Sequence, residues 1–228
     1  VSGNPVSDNA VMPASVVATQ CESLKRRLKQ HLMAPSEWRL DQAPLHSDFD
    51  LNAQMERPDR PLRPAAVLIA ILEREDGPTV LMTRRSDSLA SHTGQIAFPG
   101  GRLDAGETAV EAALREAWEE VGLDPELVEV LGVGDGYETG TGFAVTPVVG
   151  WLKAEPVLKP SPAEVAEVFE APWAFLMDPV NHRRDYYDRD GQPRRWFWAM
   201  PYREHYIWGV TAGILRRLCA RLYEDKVA

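Results

Sequence analysis

The sequence predicts an α/β protein in which a mixed sheet carries helices on its faces and a helical extension precedes the main domain. Three observations predict it. Apolar runs at 65–72 and 79–83 are joined by a Glu-Asp-Gly-Pro turn and read as a buried strand hairpin. Stripes at three- and four-residue spacing mark helices near the start, the middle and the end of the chain. Strands and helices alternate irregularly, without repeated βαβ units, which favours a mixed sheet.

Taken in order, the residues up to about Pro13 mix Ser, Gly, Asn, Pro and Val without a period and read as a loose terminus. Val17, Cys21, Leu24, Leu28 and Leu32 then recur at helical spacing, with Lys25, Arg26, Arg27 and Lys29 between them as a solvated basic face. Residues 35–64 contain five prolines and little periodicity, as an extended linker wrapping the domain would. The division is a 1–61 extension, a 62–223 domain and a 224–228 tail. Within the domain, Thr108 and Glu111 are spaced as a capping box and Gly122 is placed to end the helix they begin. Residues 128–133 and 143–152 read as strands, the second placed at an edge or bulge by Pro147. Val210, Ile214, Leu218 and Leu222 form a final helical core stripe. Most of the seven tryptophans read as core rather than as an exposed interaction surface.

Thirty-four acidic against 25 basic side chains, a net charge of −9, provide no broad positive field for nucleic acid. Such a chain acting on phosphorylated metabolites needs intervening cations. Cys21 and Cys219 lack any CxxC or His-rich neighbourhood, so neither a disulfide framework nor a zinc site is indicated. No apolar run reaches the ~20 residues that span a bilayer, and the first residues lack a signal-peptide pattern. Cytoplasm is the expected compartment, with no membrane partner. The first residue is not Met, which leaves room for an upstream segment.

The chemistry concentrates in the middle helix. Glu116, Glu119 and Glu120, spaced i, i+3 and i+4, share one arc, while Val110, Leu114, Ala117 and Val121 lie on another side. Clustered carboxylates repel, and a hard divalent cation such as Mg²⁺ or Mn²⁺ relieves that repulsion through oxygen ligands. For an isolated Glu cluster a solvated acidic face would be the favoured reading. The surrounding string decides between them: GRLDAGETAVEAALREAWEEVGL supplies Gly101, Glu107, Arg115, Glu116, Ala117, Glu119, Glu120, Gly122 and Leu123 at fixed spacing. In these positions the chain resembles the Nudix hydrolase family. The resemblance implies an α/β/α sandwich, metal held by Glu116, Glu119, Glu120 and the Gly100 carbonyl, and an Arg115–Glu107 pair that fixes the loop.

A metal site of this kind can neutralise a breaking phosphoanhydride and acidify an attacking water. No GxSxG elbow or Walker loop offers a rival nucleophile or phosphate cradle. Glu116, Glu119, Glu120 and Arg115 are the expected catalytic set, with Glu119 a candidate base. Glu164 and Glu167 read as helix-surface residues, the alternative being a base carried on a loop over the site.

The preceding segment, LMTRRSDSLASHTGQIAFPGG, resembles the coenzyme A pyrophosphatase branch through Leu81, Thr83, Arg85, Ser86, Gly94, Phe98, Pro99, Gly100 and Gly101, with Ala90 where that branch carries arginine. This implies coenzyme A or acyl-CoA as substrate, with Arg84, Arg85, His92 and Gln95 as candidate donors. In a strand Arg84 and Arg85 point to opposite faces, so at most one enters the pocket directly. ADP-ribose, a dinucleoside polyphosphate or another nucleoside diphosphate derivative is the enzymatic alternative, and a non-catalytic nucleotide sensor the more distant one. A homodimer is kept open as the oligomeric state.

Overall fold

The computed structural model describes residues 13–86, 94–188, 191 and 193–224. Helix α1 (Ala14–His31) buries Val17, Cys21, Leu24 and Leu28, the stripe expected from the sequence. The linker after it makes two short 3-10 turns and a two-residue strand, β1 (His46–Ser47). Strand β2 (Arg63–Arg74) turns directly into its antiparallel neighbour β3 (Gly77–Arg85). Two short strands follow, β4 (Ile96–Ala97) against β3 and β5 (Gly100–Arg102) against β2. Helix α2 (Ala109–Val121), strands β6 (Val128–Val133), β7 (Tyr137–Glu138), β8 (Phe143–Leu152) and β9 (Val165–Pro172), and the single turn α3 (Trp173–Leu176) come next. The chain closes with β10 (Arg183–Tyr187), β11 (Arg195–Tyr202), β12 (His205–Trp208) and α4 (Val210–Tyr223).

Among the described residues, nine strands share one sheet whose main path runs β1-β7-β8-β2-β3-β4, with β5, β6 and β9 pairing β2, β8 and β3. The β2–β8 pair is parallel and the β2–β3 pair antiparallel, so the sheet is mixed. Strand β2 explains the sandwich. Ala66, Leu68, Ala70 and Leu72 pack with α2 on one face, whereas Ala65, Ile69 and Ile71 pack with α1 and α4 on the other. Burial on both faces turns a period-two strand into the uninterrupted apolar run seen in the sequence. The fold is an α/β/α sandwich.

Helix α2 begins and ends where its residues dictate. Thr108 Oγ1 accepts from the Glu111 N–H while the Glu111 carboxylate accepts from the Thr108 N–H, and Gly122 closes the helix at φ 69°. Thr108→Ala removes one half of this cap and is expected to cost about 1 kcal/mol in a urea melt; an unchanged midpoint would contradict it.

The structure departs from the sequence expectations at four places. Pro147 is not on an edge strand: β8 is central, and Pro147 sits where β6 pairing ends at Val148 and β7 pairing starts at Val145. A residue without an N–H is tolerated at that seam. Glu164 and Glu167 are not on a helix: Glu167 lies in β9, a strand alongside β3, and Glu164 in the turn that leads into it. The strands β10-β11-β12 form a second antiparallel sheet that the sequence did not suggest, because aromatic, charged and proline residues interrupt its alternation. Of the tryptophans, Trp151 and Trp173 are buried and Trp38 and Trp198 pack partly buried against the core, whereas Trp196 and Trp208 are half-buried in the second sheet. Trp118, on α2, departs outright from the core expectation and is exposed. Both cysteines are buried free thiols. No described helix is long and apolar enough to cross a membrane.

Candidate active site

Strand β5 and helix α2 meet where the glycines of one face the carboxylates of the other. Arg115 organises the junction. Its Nε and Nη2 donate to the two oxygens of Glu107 at 2.7 and 3.0 Å, and Nη2 also reaches the Arg102 carbonyl at 3.0 Å. Nη1 donates to Glu116 Oε1 at 3.0 Å and to Glu119 Oε2 at 3.1 Å. Glu107 accepts a further bond from the Asp104 N–H at 2.8 Å, and the Arg115 bonds hold its carboxyl below the usual range. The loop expected from the Arg115–Glu107 pairing is thus tied at both ends. Glu107→Gln preserves size but weakens this fork, so kcat is expected to fall about tenfold without loss of the helix; a wild-type rate would show the loop holds without it.

The three box carboxylates occupy different environments. Glu120 is 5 % exposed, and its nearest described donors are the Gly100 N–H at 3.4 Å and Arg85 Nη1 at 4.0 Å. Burial pushes its carboxyl up to about 7, helped by the charge of Glu116 and opposed by Arg85. Burial also raises Glu116, against its bond from Arg115. Glu119 is turned outward, with its side chain 53 % exposed beside Arg115. Gly101 faces Glu116 so closely that an added Cβ would lie 2.3 Å from Oε1. Glu120, buried with its guanidinium neighbour Arg85 4.0 Å away, is under-compensated even though Arg115 bonds Glu116 directly, and the oxygens of the two carboxylates suit a hard divalent cation.

The other expected residues are divided by the sheet. Arg85 lies on the α2 side, facing Glu120. Arg84 points the opposite way and pairs with Glu167, its Nε 3.3 Å from Oε2. The opposite-face expectation for the two arginines is met. Gln95 is anchored by its backbone carbonyl, which accepts from the Arg85 N–H at 3.0 Å. His92 lies outside the described residues, as does Ala90. Glu164 follows from the fold instead: its carbonyl accepts from Ser86 N at 2.8 Å, and its charge contributes to raising both Glu116 and Glu120. His205, which contacts Glu167, carried no sequence signal.

The α/β/α sandwich thus sets a buried Glu120 and a partly buried Glu116 from one helix against a glycine strand, an arrangement suited to metal-assisted hydrolysis. The chain matches the NUDIX domain family model over residues 62–197. It is 41% identical over 177 residues to the Cronobacter sakazakii protein named Uncharacterized Nudix hydrolase NudL, covering 76% of this chain and 90% of that one. The protein of the same name from Escherichia coli K12 is 42% identical over 175 residues, with 75% and 89% covered. Among solved structures, a Caenorhabditis elegans Ap4A hydrolase binary complex aligns with TM-score 0.43 and 20% identity over 51% of this chain and 83% of that one. This chain belongs to the Nudix hydrolase family.

Proposed function

We propose that this Nudix hydrolase cleaves the diphosphate of coenzyme A or an acyl derivative, giving 3′,5′-ADP and 4′-phosphopantetheine or its acylated form. The observation that carries the reading is where the described parts of the Leu81-to-Gly101 segment lie. Arg85 is 4.0 Å from Glu120, and the segment ends on glycines that abut Glu120 and Glu116. Arg85, Gly100 and Gly101, three of the residues that distinguish this segment in the sequence, thus support a role for it beside the box carboxylates.

Glu116 and Glu120, with the Gly100 carbonyl and Glu119, would hold Mg²⁺ or Mn²⁺. Such a cation supplies charge neutralisation at the bridging oxygen and a more acidic water. Arg115 keeps Glu116 and Glu119 in place and Glu107 holds the loop. Arg85, beside Glu120, contacts the diphosphate oxyanions as a charge-assisted donor. Glu119 and Glu164 are the carboxylates available to take the proton from the attacking water, and Gln95, with His92 from outside the described residues, completes the candidate substrate donors. Residues 62–223 form the catalytic unit. Ala90, which lacks the arginine of the branch, supports the second reading, a less selective enzyme that also accepts ADP-ribose or another nucleoside diphosphate derivative.

The test is kcat/KM for coenzyme A, dephospho-coenzyme A, ADP-ribose and a dinucleoside polyphosphate with Mg²⁺ or Mn²⁺, products being identified by mass spectrometry. Coenzyme A should be preferred. A preference of tenfold or more for ADP-ribose or the polyphosphate, about 1.4 kcal/mol of discrimination, would replace the coenzyme A assignment.

A further inference from the structure

Arg85 and Glu120 stand close without touching. Arg85 Nη1 lies 4.0 Å from Glu120 Oε1, about 1 Å beyond a charge-assisted hydrogen bond. Neither group is well served elsewhere among the described residues. Glu120 is 5 % exposed and has only the Gly100 N–H nearer, at 3.4 Å, while Arg85 Nε is buried with no hydrogen-bond partner. In a desolvated site a carboxylate and a guanidinium in this condition would both gain by closing the gap. The surrounding fold must hold them apart.

The backbone on either side explains how. Glu120 lies in the last turn of α2, where carbonyls lack partners within the helix. Its carbonyl accepts from the Ser161 N–H at 2.8 Å, and that of Val121 from the Lys159 N–H at 2.7 Å. The Ser161 carbonyl accepts in turn from the Glu164 N–H at 3.0 Å and the Val165 N–H at 2.9 Å. This closes a tight turn with Pro162 at its second position, where a φ fixed by the ring is favoured. The Glu164 carbonyl then accepts from the Ser86 N–H at 2.8 Å. A ladder of backbone bonds therefore runs from Glu120 through residues 161–164 to the neighbour of Arg85. On its other edge Arg85 donates its N–H to the Gln95 carbonyl at 3.0 Å and accepts from the Gly94 N–H at 3.2 Å. Beside the turn the β3–β9 register slips: Arg84 opposes Glu167 but Arg85 opposes Val165, so Ala166 is an extra residue of the kind that re-aims a side chain. With Nε buried, the Arg85 stem is enclosed, and the reach of its guanidinium depends on where this backbone stands.

We infer that the turn at residues 161–164 is a positioning element that holds the Arg85 guanidinium short of Glu120, so that this carboxylate is left to a divalent cation instead of being neutralised by the arginine. A direct Arg85–Glu120 pair would compete with the cation for the same oxygens. This rests on the metal reading of the box carboxylates above and not on which diphosphate is cleaved.

The test combines Pro162→Gly, which keeps the N–H groups of the turn but frees its φ, with Arg85→Met, which removes the guanidinium and keeps a long stem. Binding of Mg²⁺ and of Mn²⁺ to the full chain is measured by calorimetry without substrate. Pro162→Gly should raise Kd about tenfold, because the guanidinium can then close on Glu120 and must be displaced. In the Arg85→Met background the same change should move Kd by less than about twofold. A turn that merely kept the site ordered would cost the same with and without Arg85. An equal rise in both backgrounds therefore overturns the inference, as does an unchanged Kd in Pro162→Gly. Pro162→Ala takes its place if the glycine variant does not fold. Thermal melts of chelator-treated protein supply a readout that needs no cation. There Arg85→Met should lower Tm by about 3 °C more in the Pro162→Gly background than alone, since only the loosened turn lets the pair form. If the wild type binds neither cation, the metal reading of the box fails and the melts alone decide whether the turn keeps the pair apart: the extra loss supports it, and equal losses overturn it.

Discussion

Glu120→Gln is expected to lower kcat by more than about a hundredfold while the protein stays folded, exceeding the effect of losing a supporting group. The amide keeps the size of a side chain that is 5 % exposed but cannot supply its charge. Activity within tenfold of wild type across a Mg²⁺ and Mn²⁺ titration would remove Glu120 from the metal-binding set. The same variant has a second signature in the absence of metal. Burial raises the Glu120 carboxyl from 4.5 to about 7, so between these values the folded protein binds more protons than the unfolded chain. Stability from this group is therefore present at low pH and is lost as pH rises from about 4.5 to 7, by about 3 kcal/mol. Glutamine cannot titrate, so in chelator-treated samples Glu120→Gln should gain on the wild type as pH rises through that window. Adding divalent metal at pH 8 should reverse the difference. A gap between wild type and variant that is the same at pH 4.5 and pH 8 would show that burial does not penalise the Glu120 charge.

The neighbouring glycines should separate catalysis from stability. At Gly101 an added methyl meets the Glu116 carboxylate, the end of a flexible side chain, at 2.3 Å. Glu116 can move, so Gly101→Ala is expected to melt near the wild-type temperature yet lose about a hundredfold in kcat, because a carboxylate shifted by an ångström is misplaced for the reaction. At Gly100 the methyl meets backbone, Ala66 O at 2.4 Å and Val67 Cα at 2.7 Å. The strand cannot give way so cheaply. Gly100→Ala should lower Tm by about 5 °C or more in addition to removing activity. Calorimetry and steady-state rates on the two variants check both, and equal melting temperatures would contradict the assignment of the clash at Gly100 to backbone.

How much of this was legible beforehand depends on the range over which each feature is determined. Helix α2 was readable to its ends because its signals are local: Thr108 and Glu111 cap each other across three residues, and Gly122 takes the left-handed turn. The hairpin β2–β3 and the stripes of α1 and α4 were equally plain, since burial imposes a period that survives in the sequence. The spacing of Glu116, Glu119 and Glu120 put them on one helical arc, and the string around them identified the family.

What that spacing could not supply was the difference among the three. Glu120 is buried, Glu116 is shared with Arg115, and Glu119 is turned to solvent. That ranking comes from β2 and β5 closing over one side of α2, with Arg85 reaching in from β3, contacts between segments far apart in the chain. Pairing of β3 with β9 likewise decided that Arg84 meets Glu167 and that Glu164 lies near the carboxylates. The second sheet left the weakest trace because its strands mix aromatic and charged residues and are half-buried, so neither face imposes a clean alternation. By itself the sequence determined the β2–β3 hairpin, the three long helices, the family and the carboxylate arc, all encoded by short-range periodicity, capping and spacing. Only the tertiary structure decided which carboxylates lose their water, which arginine faces them and what His205 touches, because desolvation and cross-strand register are properties of residues brought together by folding.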